Sequence, residues 1–158
     1  MSIASSPSQA NTTAAAVEIR RFCSFWIADS LYGIDILDVK EINSDVALTP
    51  IFHAPAQVRG YVNIRGQVHL VIDPRAPLGL PLDPILTGKM LIIFKPSVGE
   101  ACAMLVDRIG DIVEISTDRF EEDAAAASEG PALTVGVCKL DGQLLVALNP
   151  RGFFHFSP

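Results

Sequence analysis

The chain has 158 residues, 49% of them apolar, a net charge of −6 and a pI near 4.9. That is enough apolar content for one compact domain or two small subdomains sharing an interface, and too much for a disordered body. No apolar run approaches the roughly 18 residues of a membrane helix, and the 12 Lys and Arg are scattered rather than gathered into the basic patch that phosphate binding needs. Direct membrane insertion and nucleic-acid binding are therefore not expected.

Met1 to Val17 is rich in Ser, Ala and Thr and carries no charge before Glu18. It has neither the basic start nor the solid apolar stretch of a secretory signal, so a disordered tail over 1–17 and a folded domain over 18–158 are expected. Phe22 to Ile27 is aromatic-rich and suits a strand. After the turn at Ala28 to Ser30, Leu31 to Ile36 alternates like a strand, and the segment continues through Leu37 to Ile42 without a breaker. Pro50 and Pro55 bracket a loop holding His53. Tyr61 to Asp73 is a hairpin turning at Arg65-Gly66. Its register is open: a two-residue turn puts Val62 and Ile64 on the face opposite Val68, Leu70 and Ile72, and a three-residue loop puts them together.

Pro74, Pro77, Pro81 and Pro84 exclude a long helix or central strand, so this segment is the expected crossing between two units. Lys89 to Lys95 is a continuous apolar run of the buried-strand kind. Ala101 to Val106 and Ile109 to Ile115 follow as strands, Asp118 to Pro131 as an acidic, Ala-rich loop or frayed helix. A second hairpin turns at Asp141-Gly142, a type I′ signal.

The two hairpins are copies. Gly60 to Arg75 and Gly136 to Arg151 align without a gap, with Gly60/Gly136, Gly66/Gly142, Gln67/Gln143, Pro74/Pro150 and Arg75/Arg151 identical. A fainter echo relates Ile34, Val39, Glu41 and Ile42 to Met104, Ile109, Asp111 and Ile112. A repeat built of short strands, without a long helix, predicts an all-β chain of two small barrels in tandem. The units are expected at about 31–85 and 89–150, completed by the N-terminal strand and the C-terminal segment.

Catalytic patterns are missing. His53, His69 and His155 show no metal-ligand spacing with each other or with Cys23, Cys102 and Cys138. His69 reads as a solvent-facing or loosely packed strand residue, and Asp35 and Asp38 as solvated charges. No nucleophile elbow or phosphate-binding glycine loop is present, so no enzyme, cofactor or metal is expected. The cysteines read as small buried hydrophobes in a reducing, cytoplasmic compartment. What remains are polar groups at hairpin tips and strand edges: Glu41, Arg59, Asn63 and Arg65, read as either ordinary exposed residues or a protein–protein contact surface.

Three blocks then resemble the CheW-like chemotaxis coupling proteins: Tyr32 to Ile42 (YGIDILDVKEI), Gly60 to Gly66 (GYVNIRG) and Val71 to Asp73. Val106 to Ile112 and the final hairpin fit that family's second half, and the resemblance spans about Arg20 to Phe154. It implies two tandem SH3-like five-stranded β-barrels with little helix, and a non-enzymatic adaptor in signalling arrays at the inner face of the membrane. Its partners would be the cytoplasmic tip of methyl-accepting chemoreceptors and the regulatory domain of a CheA-type histidine kinase. Val39, Glu41, Gly60, Arg65, Gly66 and Ile112 match family positions implicated in those contacts, with Glu41 and Arg65 implied as an ion pair. A coupling protein of a non-flagellar pathway is the alternative within the family, and a small-ligand-binding or enzymatic barrel the alternative outside it. The chain departs from the family in Leu70, where many relatives have Pro, in its proline-rich middle, and in a short Phe-rich end without the usual closing helix. Phe153, Phe154 and Phe156 are expected in the core.

Overall fold

The structure, a computed structural model, describes residues 17–44, 46–122 and 132–154. The expected tail up to residue 16, and Phe156 and His155, lie outside the described residues, as does most of the acidic Ala-rich loop. The strands are β1 (Ile19–Ile27), β2 (Ser30–Asp35), β3 (Val39–Asn43), β4 (Val58–Ile64), β5 (Gln67–Ile72), β6 (Met90–Phe94), β7 (Cys102–Val106), β8 (Arg108–Ser116), β9 (Phe120–Glu122), β10 (Thr134–Leu140) and β11 (Gln143–Leu148). One-turn helices α1 (Arg75–Leu78) and α2 (Pro150–Phe153) follow the two hairpins. A closing helix of one turn is thus present where none was expected, with Asn149 accepting a hydrogen bond from the Arg151 amide as its N-cap.

The strands form two sheets, β8-β1-β2-β11-β10-β9 and β3-β6-β7-β5-β4. Each rolls up on itself. The chain leaves β3 at one edge of the five-stranded sheet and reaches β4 at the other, where Thr49 and Tyr61 exchange two backbone hydrogen bonds of 2.8 Å. In the six-stranded sheet, β8 runs through the 3₁₀ turn Thr117–Arg119 into β9 at the far edge. The all-β, two-barrel expectation holds, with the three-residue β9 as an extra edge strand in one sheet.

The partition of the chain does not follow the expected boundaries at 31–85 and 89–150. The proline-rich segment joins β5 to β6 inside one sheet. The crossings lie instead at the 3₁₀ turn Ile36–Asp38, between β2 and β3, and at Asp107, between β7 and β8. Leu37 to Ile42 is therefore not a continuous strand. Each repeat gives its first strands to one sheet and its hairpin to the other, so the barrels are intertwined.

This interleaving accounts for the burial pattern. Alternate residues of a strand face opposite sides. In β6, Leu91 and Ile93 fill the five-stranded barrel beside Val62, Ile64 and Val71, while Ile92 and Phe94 face the other barrel. Phe22, Leu31, Leu145 and Ala147 fill the six-stranded barrel. Phe25, Ile27, Ile34, Ile72, Met104, Leu148 and Phe153 pack between the two, and Phe154 stands edge-on to Phe94 at 5.7 Å. Each such fully buried side chain contributes about 1.5–3 kcal/mol, so the barrel junction is itself core and the barrels fold as one unit. Phe153 is core, as expected, and Phe154 is partly buried against it.

The first hairpin takes the two-residue turn, pairing Ile64 with Gln67. Val62 and Ile64 therefore share the barrel interior with His69 and Val71, and Ile72 and Leu70 face the junction. His69 is buried at 3% exposure, not solvent-facing, with its Nδ1 3.1 Å from the Gln67 carbonyl. Arg65 and Gly66 both take positive φ, 51° and 84°, the type I′ pattern. At the second tip only Gly142 does, and Asp141 does not, so the type I′ form falls on Arg65-Gly66 and not on Asp141-Gly142.

Gly60 and Gly136 are repeated because each follows a β-bulge where a strand wraps close to another backbone. Register shifts set Arg59 and Val135 out of the ladder. A Cβ on Gly60, whose φ is +140°, would lie 2.3 Å from the Thr49 carbonyl oxygen, and one on Gly136 would lie 2.4 Å from that of Glu121. Gly60→Ala should cost about 2–4 kcal/mol, combining backbone strain with a clash against the bridge that closes the barrel. Urea unfolding followed by circular dichroism measures this, and a change under about 1 kcal/mol would show that the bridge gives way freely.

Candidate functional site

The first hairpin tip projects Arg65 into solvent, its side chain 70% exposed. A bulky residue at positive φ is uncommon and costs free energy, and such strain collects where geometry matters. Two contacts hold this one. Asn63 Oδ1 accepts the Gly66 amide at 2.9 Å, stapling the turn. Arg65 forms a fork on Glu41, Nη1 to Oε1 at 2.8 Å, with a second short bond from Nη2 to Oε2. Glu41 sits on β3 and Arg65 on the β4–β5 tip, so the ion pair spans the seam at which the barrel closes.

The hydrogen bond from Arg65 holds the Glu41 carboxyl below its ordinary range, and Glu41 in return raises the already high value of the guanidinium. Neither group changes its protonation state near neutral pH. Chemically the tip offers a fixed cation with unfilled donor positions on a rigid strand pair. Tyr61 and Val68, both substantially exposed, lie on the outer face of the same hairpin. Beside the tip, Lys40, Gln67, His69, Phe94, Pro96 and Glu100 line a shallow depression. Among the described residues, no group of three His, Cys, Asp or Glu is placed to hold a metal ion.

The expected contact residues divide into three sets. Glu41, Asn63, Arg65 and Gly66 come together at the tip. Val39 starts the same edge strand, half-buried and packed on the junction core. Ile112 is half-exposed on β8, in the other sheet. Gly60 is buried at the bulge, where its part is steric. Arg59 is turned inward by the bulge: its Nη1 donates to Asp73 Oδ2 at 2.7 Å and to the Asp83 carbonyl at 3.1 Å, and Asp73 is fully buried. It anchors the proline-rich segment and is mostly shielded from solvent.

A second charged cluster was not anticipated. Arg75 donates two bonds to Asp107, Nη1 to Oδ1 at 2.8 Å and Nη2 to Oδ2 at 2.7 Å. Lys89 Nζ lies 3.2 Å from Asp107 and 2.8 Å from Asp83. Burial alone would raise the Asp107 carboxyl, but the Arg75 fork, the Ala28 amide and the Lys89 ammonium outweigh it and hold the group well below the usual carboxylate range. Asp35 and Asp38 are likewise paired, with Arg20 and Arg151, and are not free solvated charges. The repeated Pro-Arg motif was the signal for two of these pairs, though nothing in the sequence names its acidic partners.

Comparison with known proteins bears on the family and the fold. The family profile described as CheW-like domain matches residues 21–156. The chain is 30% identical to the chemotaxis protein CheW of Rhizobium meliloti over 137 residues, 85% of this chain and 87% of that one. It is 25% identical to the chemotaxis protein CheW of Helicobacter pylori, covering 84% and 79%. The crystal structure of the scaffolding protein TtCheW from Thermoanaerobacter tengcongensis superposes with a TM-score of 0.72 at 26% identity, covering 84% of this chain and 90% of that one.

Proposed function

The chain belongs to the CheW-like family of chemotaxis adaptors, and we propose that it couples the cytoplasmic tips of chemoreceptors to a CheA-type histidine kinase, without chemistry of its own. The observation that supports this reading most directly is the Arg65 tip. An exposed guanidinium normally loses rotamer freedom when it binds, and here the type I′ turn, Asn63 and the Glu41 fork have already fixed it. Arginine beside exposed Tyr61 and Val68 is the residue mix of a contact hot spot. Val39, Glu41, Asn63, Arg65 and Gly66 form the proposed contact centre, and Ile112 a separate contact on the second sheet. Gly60 and Arg59 support the centre from within. The partners place the protein in the cytoplasm, at arrays on the inner face of the membrane.

The test is reconstitution. Membranes carrying a chemoreceptor are mixed with a CheA-type kinase and sedimented with and without this protein. Kinase should enter the pellet only when the protein is added. Equal kinase sedimentation in both samples, or a protein that binds neither component, would refute the proposal.

A further inference from the structure

The duplicated Pro-Arg motif performs the same task twice, with unequal strength. Arg75 and Arg151 occupy matching positions at the starts of α1 and α2. The Arg75 amide donates to Asp73 Oδ1 at 3.0 Å and the Arg151 amide to Asn149 Oδ1 at 3.3 Å. Each arginine then reaches the place where the chain passes from one sheet to the other. Arg75 grips Asp107 at the β7–β8 crossing. Arg151 meets Asp38, in the 3₁₀ turn of the β2–β3 crossing, through one contact of 3.3 Å from Nη2 to Oδ1. The first clamp is a fork on a nearly buried arginine, backed by Lys89. The second is a single contact on an arginine 48% exposed.

The weaker clamp lies next to the contact centre. Asp38 directly precedes Val39, and β3 sits at the edge of its sheet beside β6. A register shift sets Lys40 out of the ladder between Val39 and Glu41, so this strand begins on an interrupted pairing. The Lys95 amide donates to the Asp38 carbonyl at 3.0 Å, and two arginines add side-chain restraints: Arg65 on Glu41, and Arg151 on Asp38 from the opposite end of the chain.

We propose that Arg151 is a positioning residue: its contact with Asp38 latches the β2–β3 crossing, and so sets how well ordered β3 and its Val39–Glu41 contact face are before a partner arrives. This rests on the reading of that face as the partner contact. A single, half-exposed contact is a modest restraint that salt screens, so the latch biases local opening and leaves the global fold alone.

Amide hydrogen exchange on the full chain tests the latch without any partner. In Arg151→Ala the amides of residues 39–43 should exchange about threefold to fivefold faster, with those of 109–116 unchanged. Arg151→Lys should recover most of the protection, since one contact needs only a point charge, and Asp38→Asn should match the alanine variant. Affinity for a receptor fragment should fall in the alanine variant by no more than that factor, because binding scales with the closed fraction, and should recover in the lysine variant. Unchanged exchange at 39–43, or equal acceleration at both crossings, overturns the latch. A wild-type protein that fails to bind receptor sinks the contact reading alone, because the exchange result does not depend on it.

Discussion

Arg65→Glu should lower affinity for the receptor or kinase partner by about 30-fold or more, while leaving the protein folded. The change removes the fixed cation and places a second carboxylate against Glu41, so the tip presents negative charge where it presented positive. The fold should survive because the side chain is mostly in solvent and the barrel core lies beneath it. Titration calorimetry against each partner, with circular dichroism as the control for folding, measures both halves. The charge swap Glu41→Arg with Arg65→Glu separates two roles. A swap that restores the hairpin without restoring binding marks Arg65 as a direct contact. A swap that restores binding marks the ion pair as a brace for other contacts. Arg65→Glu with unchanged affinity for both partners would remove the tip from the interface.

Asp107→Asn should destabilise the protein by about 3–5 kcal/mol, the usual cost of removing one partner of a buried ion pair. For a chain of this size that is a drop of roughly 10 °C or more in melting temperature. The amide keeps the shape but leaves Arg75, nearly buried, without its carboxylate and Lys89 with Asp83 alone. Arg75→Ala should cost less, since Lys89 still serves Asp107. The pH dependence follows from the sign of the shift. The folded carboxyl is held below its unfolded value, so its stabilisation is complete above about pH 4 and is lost as pH falls through and below the ordinary aspartate range. Melts from pH 6 down to pH 3 should show the wild-type advantage over Asp107→Asn shrinking with acid. An advantage that stays constant across that range would contradict the assignment of the network to Asp107.

Much of the site was legible before any fold was known. Glu41 and Arg65 stood out as polar residues on an apolar scaffold, and Asn63 and Gly66 as turn residues. Their meeting across the barrel seam needed the closed sheet, because β3 and the hairpin tip are 24 positions apart and lie at opposite edges. Arg59 shows the converse. Its sequence setting beside the tip suggested a contact, but the bulge at that position re-aims its side chain inward to Asp73. His69 failed for a related reason: alternation with Val68 and Leu70 told which residues shared a face, but Val68 and Leu70 proved to face outward and toward the junction, leaving His69 inside.

By itself the sequence determined most of the strands, the two copied hairpins and the all-β class, because these depend on alternation, turn residues and propensity over a few neighbouring positions; the short edge strand Phe120–Glu122 fell in the expected loop or frayed helix instead. It also paired Gly60 with Gly136, although the close backbone approach that requires glycine at both is visible only in the structure. Only the tertiary structure decided which strands share a sheet. Pairing between distant strands depends on which apolar faces meet, and a continuous run such as Leu91 to Phe94 offers two equally good faces. The consequence was large: the crossings fell at Ile36–Asp38 and Asp107 rather than in the proline-rich segment, each repeat was divided between two barrels, and the aspartates at those crossings acquired arginine partners from distant segments of the chain.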